Sequence, residues 1–547
     1  MRTKRLTYLL TCLLALPASP INAQTDSLLL RNYDVVKQQD KWLTQLNAAA
    51  LTRFSSDNIV KAEASLTKAD GGHIDYYDSP DVLQFDAHIE SFYRLGQRTV
   101  VFGSMSYINW SGKDMTGSAF MHLTPYLSSL TSYRYPFDLV EDSLTNEGKK
   151  HRDVYQLTGG IGIDVWRGIS LGARVDYTSA NYAKYKDLRH KNKLMDLSVT
   201  AGIYAPLLPW LSTGAHYLYH RQTESLSFST YGKSEKVYMT LIDYGAAFGR
   251  VEQFGNEGYT DKSHEMPWLE DGHGGDFQLE VRPMTGLSVF GAIGVSHGSG
   301  YYGRRSPYTI TYTNHERDVM TINGAVKYVT TASQHTLDIS FRREKLKNQA
   351  ETYREMTNQN GANYYEYYDP VETGDKWWRD LTLAWTSLLG MQGETPTWQL
   401  QAAYTWGKRT QRAYLYPFFR RQQLHTNEVS LSATRNLIGS KGIWSLTLEG
   451  AFGKGNGEPC QDYAFTTPSS KQEKPATMEA MLWRNYQYLT AAQFRIGGSV
   501  QYAFIFPGTR LKTHARLSAS HHKANETYDY SQGRNRTQLA LAIGCTF

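Results

Sequence analysis

Apolar and polar residues alternate one by one along long stretches of this chain. The stretch LQFDAHIE places Leu83, Phe85 and Ile89 on one face of an extended strand and Asp86 and Glu90 on the other. The same period of two recurs in ISLGARVDY, WQLQAAYTW, QFRIGGSVQYAF and TQLALAIGCTF. A period of two predicts β-strands with one apolar face, and helical spacing is absent from these stretches.

Aromatic residues stand at the ends of these apolar rows, and the opposite rows are polar or small. The terminal aromatics include Tyr177, Trp398, Trp406, Trp444, Phe506 and Phe547. Aromatic girdles at both water–lipid boundaries, with a polar row facing a lumen, are typical of transmembrane β-barrels. A soluble sandwich has shorter strands and frequent turns.

The connections between the predicted strands alternate between short turns and long polar segments. Short turns such as Gly96-Gln97, Arg167-Gly168 and Pro507-Gly508 predict one end of a barrel. Long segments at 69–81, 112–151, 229–271, 300–317, 349–375 and 456–490 predict the other. The fold class is therefore all-β, a transmembrane antiparallel up-and-down β-barrel of about 18 strands, with a range of about 16–20. Within 229–271, VYMTLIDYGAAFGR is a candidate for a further strand pair.

The last apolar row ends on Phe547 and predicts how the ring closes. A sheet in lipid must not leave an open edge, because unpaired backbone groups are costly there. We expect the last strand to pair with the first, with Phe547 at a water–lipid boundary.

The N-terminal region predicts secretion and then a segment before the barrel. Residues 1–23 carry Arg2, Lys4 and Arg5, an apolar stretch and a small residue at Ala23, which indicates a signal peptide. Residues 24–57 form a short helical N-terminal segment, either luminal or periplasmic, and 58–547 form the barrel. The candidate plug residues are Asn47, Ala48, Ala49 and Ala50; a periplasmic cap without a gating role is the alternative.

Composition excludes several classes of function. The formal charge of +6 is small for 547 residues and does not favour nucleic acid as a partner. After the signal peptide, Cys460 and Cys545 are too few for a disulfide scaffold. We find no phosphate-binding glycine loop or metalloprotease motif, and we predict neither a cofactor nor an enzymatic activity.

Charged residues of both signs lie on the predicted inward rows. The candidate pore-lining residues are Asp86, Glu90, Arg94, Arg174, Asp176, Asp338, Arg342, Glu449, Arg495 and Arg516. Such residues could line a polar pore and tune its selectivity. The alternative is a packed lumen of cross-strand ion pairs that conducts nothing.

Two groups of residues offer chemistry that the pattern favours less. HEMPWLEDGHGGD, residues 264–276, could ligate zinc through imidazole and carboxylate groups, but a solvated loop is the favoured interpretation. His514 and Ser518 share an inward row and could serve as base and nucleophile, although a polar strand end is favoured.

The signal peptide, the LNAAALTRF segment, the tyrosine-rich connections and the closing LALAIGCTF resemble known proteins. They resemble the outer-membrane β-barrels of Bacteroidota, in particular a full-length barrel family of unknown function. The run from Asn47 to Leu51 is also similar to the Asn-Pro-Ala segment of fatty-acid-transporter-type barrels, with Ala48 at the proline position. No catalytic or ligand residue is implied by either resemblance.

These observations predict an outer-membrane barrel for solute passage or capture, either as a channel or as an accessory to an outer-membrane uptake complex. The alternative is a non-conducting barrel that partners a secretion or surface-assembly machine. Expected partners are outer-membrane lipid and lipopolysaccharide, the barrel-assembly machinery through the C-terminal strand, and another outer-membrane uptake or secretion component.

Overall fold

A closed ring of 18 antiparallel strands forms the body of the protein. The computed structural model describes residues 27–122, 134–140, 146–231, 237–254, 266–526 and 530–547. With strands numbered in chain order, the ring consists of β1 (Ile59–Asp70), β2 (Asp81–Arg94), β3 (Thr99–Met115), β5 (Gly148–Trp166), β6 (Ile169–Lys184), β7 (Arg189–Leu208), β8 (Leu211–Ser229), β11 (Met266–Met284), β12 (Leu287–Ser306), β13 (Thr309–Val329), β14 (Ser333–Thr357), β15 (Asn363–Gln392), β16 (Thr395–Leu415), β17 (Phe418–Ile438), β18 (Ile443–Ala464), β20 (Gln493–Ile505), β21 (Lys512–Ala524) and β22 (Asn535–Thr546). The predicted signal peptide lies outside the described residues.

The ring closes between the first and last strands. β1 pairs with β2 on one edge and with β22 on the other, so Ala64 lies opposite both Ala87 and Ile543. Strand order around the ring follows the chain, and every barrel strand has a hydrogen-bonded neighbour on both edges. The predictions of the barrel, of its strand number and of its closure are confirmed.

The outer face of the ring is apolar although it is exposed. Leu541 and Ile543 of β22 are 51% and 58% exposed, and Leu83 and Ile89 of β2 are similarly exposed. Their sequence neighbours point into the lumen, as the period of two requires. We call this continuous outer surface the apolar band. Because exposure of so large an apolar surface to water is unfavourable, the band is typical of a barrel surrounded by lipid.

A second, four-stranded sheet belongs to the long connections. It consists of β4 (Asp138–Val140), β9 (Tyr238–Gly245), β10 (Phe248–Phe254) and β19 (Ala476–Thr477), in the order β19-β10-β9-β4. We call it the inner sheet, because its aromatic side chains pack against lumen-facing residues of the wall. The strand pair predicted in VYMTLIDYGAAFGR therefore exists as β9 and β10, but these strands are not members of the ring.

Short helices complete the described secondary structure. They are α1 (Tyr33–Gln38), α2 (Glu479–Thr490) and two 3-10 helices, Lys41–Thr44 and Ala48–Arg53. In the described part of the chain, no helix has the length and apolar character needed to cross a membrane.

Some segments predicted to be loops are strands. β12 and β13 extend through most of 300–317, and β14 and β15 through most of 349–375. The prediction of a solvated loop at 264–276 is also wrong, because β11 begins at Met266 and includes most of these residues. Beyond the apolar band both faces of a strand meet polar surroundings, so the alternation that marks a strand disappears while pairing continues.

The two faces of β22 provide a direct test of the apolar band. We expect Leu541→Arg to destabilise the membrane-inserted barrel by about 2–4 kcal/mol, the cost of a cation on a lipid-facing position near the midplane. Ala540→Arg, on the adjacent lumen-facing position, should cost much less. Urea or guanidinium unfolding in lipid vesicles measures both, and equal destabilisation would contradict the assignment of faces.

Candidate functional site

The N-terminal segment, residues 27–57, lies against the inner wall of the ring. Ala49 and Ala50 are completely buried there. The Asn47 side-chain amide donates hydrogen bonds to the carbonyl oxygen of Ile203, at 2.9 Å, and to Oε1 of Gln278, at 3.1 Å. The predicted plug residues are therefore fixed to wall strands β7 and β11.

Glycines in the wall make room for this contact. A Cβ atom on Gly172 would lie 2.1 Å from the backbone nitrogen of Ala49, and one on Gly202 would lie 2.2 Å from Oδ1 of Asn47. Gly162 and Gly214 are similarly close to the segment. The four glycines belong to β5, β6, β7 and β8. We call them the glycine seat, because a Cβ atom at any of these positions would overlap the N-terminal segment.

Charged contacts attach the segment to the remaining sectors of the ring. Lys41 pairs with Asp338 of β14 at 2.5 Å, and the Trp42 indole N–H donates to Glu280 of β11 at 2.9 Å. Lys37 pairs with Glu90 of β2 at 2.5 Å. Because β2, β11 and β14 are widely separated around the ring, the segment extends across the lumen.

The long connections enter the lumen at its other end. The Tyr135 hydroxyl donates to the Glu224 carboxylate of β8, and Arg134 pairs with Asp380 of β15 at 2.8 Å. Arg134 also stacks on Trp378, with its guanidinium carbon 4.9 Å from the ring centroid. These contacts hold Arg134 and Tyr135, which belong to the connection between β3 and β5, against the inner face of β8 and β15.

A cavity of about 1140 Å³ lies among these connections and the wall, and we call it the chamber. Aromatic residues, including Tyr76, Tyr77, Trp110 and Trp378, form part of its lining. Its lining carries six carboxylates and six cations: Asp75, Asp78, Asp86, Asp138, Asp243 and Asp380, and Arg134, Arg152, Arg342, Lys376, Arg409 and Arg536. Aromatic faces beside both signs of charge suit a polar solute with a flat or ring-shaped part.

Several chamber cations are not in ion pairs. Within the described residues, no carboxylate lies within ion-pair distance of Arg152, Lys376 or Arg409. Arg152 instead stacks on Trp110 at 4.7 Å. The Nε atoms of Arg152 and Arg409 are buried without a hydrogen-bond acceptor. Unused donors of this kind are available to an incoming acceptor.

The inner sheet places two carboxyl groups with opposite pKa shifts beside the chamber. Asp138 and Asp243 lie opposite one another in β4 and β9. Burial raises the pKa of Asp243. Burial also acts to raise the pKa of Asp138, but hydrogen bonding and charge from His122, with hydrogen bonds from Ser118 and Tyr76, hold it below its usual value. The pKa values of the two neighbouring carboxyls are therefore shifted in opposite directions.

A second cavity, of about 450 Å³, lies between the N-terminal segment and the short turns, at the end of the ring away from the chamber. It is lined by Arg53, Glu280, Arg282 and Lys327. Glu280 binds Arg282 at 2.6 Å and Arg53 at 3.3 Å, and Lys327 donates to the carbonyl oxygen of Gln39, so these side chains already have partners within the chain. This cavity adjoins the segment rather than the chamber.

The ten predicted pore-lining residues all lie on the inner face. Asp86 and Arg342 line the chamber. Glu90, Arg94 and Asp338 contact the N-terminal segment. Those that bind other wall residues are Arg174 with Asp176, Arg495 with Glu428 and Arg516 with Glu63, and Glu449 also belongs to the inner face. That these residues line a conducting path stays a prediction.

Among the described residues, those of the two less favoured chemical interpretations do not come together; His264 and Glu265 lie outside the described part of the chain. In β11, His273 stacks near Tyr217, while Asp276 binds His216, so residues of the proposed metal site point to different partners. Among the described residues there is no cluster of His, Cys, Asp and Glu suited to a metal ion. His514 binds Glu63 at 2.9 Å, and Ser518 is directed at the Ala540 carbonyl.

Nothing in the sequence singles out Lys376, Arg409 or Asn485 as functional residues. Lys376 and Arg409 lie on predicted strands, so their inward position follows from the alternation, but nothing in the sequence marks them as unpaired. Asn485 of α2 donates to Asp75 at 2.7 Å, and Arg409 donates to Asn485 at 2.6 Å. These contacts depend on where a long connection folds, which residue periodicity does not encode.

The β1–β2 connection should respond to pH through Asp78. Burial and the nearby charge of Asp75 raise the pKa of Asp78, and burial raises that of Asp75. A raised carboxyl pKa stabilises the folded connection below the ordinary aspartate pKa, and this stability is lost as the pH rises through the folded value. We expect hydrogen-exchange protection of residues 71–80, corrected for intrinsic rates, to fall with rising pH, and Asp78→Asn to reduce that fall. Asp70→Asn, on an exposed position, is the control; a profile unchanged by Asp78→Asn would contradict the assignment.

Solved structures that match most of the chain include three receptors and transporters. The ferric preacinetobactin receptor BauA of Acinetobacter baumannii matches with a TM-score of 0.37 and 8% identity, over 90% of this chain and 80% of that chain. The alcaligin outer-membrane receptor FauA of Bordetella pertussis gives 0.39 and 8%, over 89% and 76%. The outer-membrane transporter YddB of Escherichia coli gives 0.41 and 8%, over 90% and 81%.

A search of curated proteins found no match. The resemblance to Bacteroidota barrels and to fatty-acid-transporter-type barrels stays a prediction.

A family model, described as a family of unknown function, DUF6850, matches residues 48–547, which include the 3-10 helix Ala48–Arg53 and the whole ring. The chain therefore belongs to the DUF6850 family of unknown function.

Proposed function

We propose that the protein is an outer-membrane barrel for solute passage or capture. The observation that carries the proposal is the chamber of about 1140 Å³ inside a closed ring whose outer face is apolar. Barrels of about 16–18 strands are wide enough to hold an aqueous path unless the lumen is filled. The chamber lies on the side of the long connections, which face the outside in such barrels.

In this proposal the N-terminal segment acts as a plug. It extends across the lumen below the chamber and is held by the glycine seat and by ion pairs at Glu90, Glu280 and Asp338. A solute entering from outside would meet the unpaired cations and aromatic rings first. Passage to the periplasm requires the segment to shift, either spontaneously, as in a gated channel, or under the action of an uptake complex.

The glycine seat allows the plug to be displaced without touching the outer face. In Gly172→Val/Gly202→Val the new side chains would overlap Ala49 and Asn47, so the segment must leave the wall. Valine is compatible with a strand. We expect the variant to raise conductance several-fold in planar bilayers and to expose Lys37, Lys41 and Arg53 to trypsin.

Gly159→Val is the matched control, because a Cβ at this outward position of β5 meets no other atom within 4 Å. It should behave as the wild type in both assays. If trypsin cleaves the segment of the double variant while conductance stays at the wild-type level, the proposal of passage is wrong.

One feature favours the alternative of a non-conducting interaction barrel. β15 pairs with β16 only from Gly374 onward, so the outer part of the β14–β15 hairpin projects beyond its neighbour on that side. It carries Tyr353, Tyr367 and Tyr368 at exposed positions. Exposed tyrosines are frequent anchors of protein interfaces. A pull-down from detergent-solubilised membranes that recovers a specific partner with wild type but not with Tyr368→Asp would support this alternative.

A further inference from the structure

Three cations stand side by side on the outer face of the ring. Arg343 of β14 lies directly opposite Arg379 of β15, and Arg379 lies directly opposite Lys408 of β16. We call these three residues the basic row. They occupy the same face as the apolar band, because they alternate with the lumen-facing Arg342, Asp380 and Arg409.

The basic row lies immediately above the apolar band. The next outward row toward the short turns consists of Phe341, Leu381 and Trp406, directly opposite one another on the same three strands. The row after that consists of Ile339, Leu383 and Tyr404. The change from aromatic and aliphatic side chains to cations within one step is the pattern expected where hydrocarbon meets lipid headgroups.

Further cations continue the surface away from the band. Lys345 and Lys347 follow Arg343 on β14, and Arg412 follows Lys408 on β16. Trp377 lies between them, with Arg343 and Lys345 stacked on its ring at 4.8 and 4.9 Å. Carboxylates accompany these further cations: Asp375 lies 3.7 Å from Arg412, and Asp318 and Glu316 of β13 lie directly opposite Lys345 and Lys347.

Like charges directly opposite one another destabilise a sheet. Within the described residues, no carboxylate lies within ion-pair distance of Arg343, Arg379 or Lys408. Two outward lysines on another part of the ring do have a carboxylate partner. On β1–β3, the outward residues Lys68 and Lys113 both bind Asp81, the latter at 2.9 Å, so that repulsion is relieved within the chain. The basic row has no such partner of its own.

We propose that the basic row binds the phosphate groups of an anionic lipid in the outer leaflet. This inference rests on the proposed outer-membrane location. Guanidinium groups match phosphate oxygens in two-point hydrogen bonds, and three adjacent cations suit a ligand with more than one phosphate. A membrane lipid is favoured over a free anion because its acyl chains would cover the apolar rows directly below the cations. The lipid would thereby neutralise the repulsion across β14, β15 and β16.

The test uses the full-length protein in dodecyl maltoside, with diphosphoryl lipid A as the probe and native mass spectrometry as the readout. We expect Arg379→Gln/Lys408→Gln to weaken lipid A binding about 30-fold, the loss that removing two cations at an anionic membrane surface produces. Lys68→Gln/Lys113→Gln removes the same charge from a neutralised position and should leave affinity close to that of the wild type. The exchange Arg379→Lys/Lys408→Arg, which keeps the charge, should retain most of the binding.

Each other outcome overturns the proposal. Equal loss in both glutamine pairs would show a general charge effect, and no loss in Arg379→Gln/Lys408→Gln would show that the basic row is not the site. Displacement of lipid A by millimolar inorganic phosphate would indicate a free-anion site. Heat-modifiable migration in gels verifies that each variant is folded. Resistance of the wild type to carbonate extraction from vesicles tests the membrane location separately, so failure of the lipid site is distinguishable from failure of the proposed function.

Discussion

Backbone hydrogen bonding is the constraint on which the rest of the structure depends. In lipid, each unpaired N–H or C=O group costs several kcal/mol, so a sheet must close on itself. The pairing of β1 with both β2 and β22 meets this requirement. Once the ring is closed, successive side chains must point alternately outward and into the lumen, and the two rows acquire opposite chemistry. The exposed leucines of β22 and the inward charges of β6 follow from the same geometry.

A ring of this width leaves a bore that its own side chains do not fill. The protein fills one end with the N-terminal segment and the other with the inner sheet and its flanking connections. Charges in such surroundings require partners, because burial of an unpaired charge is expensive. Most of them have partners: Glu280 binds Arg53 and Trp42, and Asp380 binds Arg134. The chamber is where this pairing is incomplete, which is why we place solute binding there.

The periodicity of the sequence was sufficient for the wall but not for its contents. Alternation at Leu83, Phe85 and Ile89 predicted a lipid-facing row, and the short turns predicted the strand number. It did not predict that β14 continues to Thr357 or that β15 begins as early as Asn363. Both faces of these strand ends have polar surroundings, so the alternation of apolar and polar residues is lost there. Nor did it explain the glycine at position 172. A side chain there would overlap the backbone of Ala49, which lies more than a hundred positions earlier in the chain and is brought close only by the fold.

The chamber, the plug and the basic row all depend on the closed ring, and its closing seam can be measured directly. Ala64 and Ile543 are direct cross-strand partners on the outer face. In a chain that carries Cys460→Ala and Cys545→Ala, the pair Ala64→Cys/Ile543→Cys should form an intramolecular disulfide in native membranes, because directly opposed strand residues lie within disulfide reach. The pair Ala64→Cys/Leu539→Cys, which is out of register, should not. Efficient cross-linking of the second pair, or none of the first, would contradict the closed ring and the functions built on it.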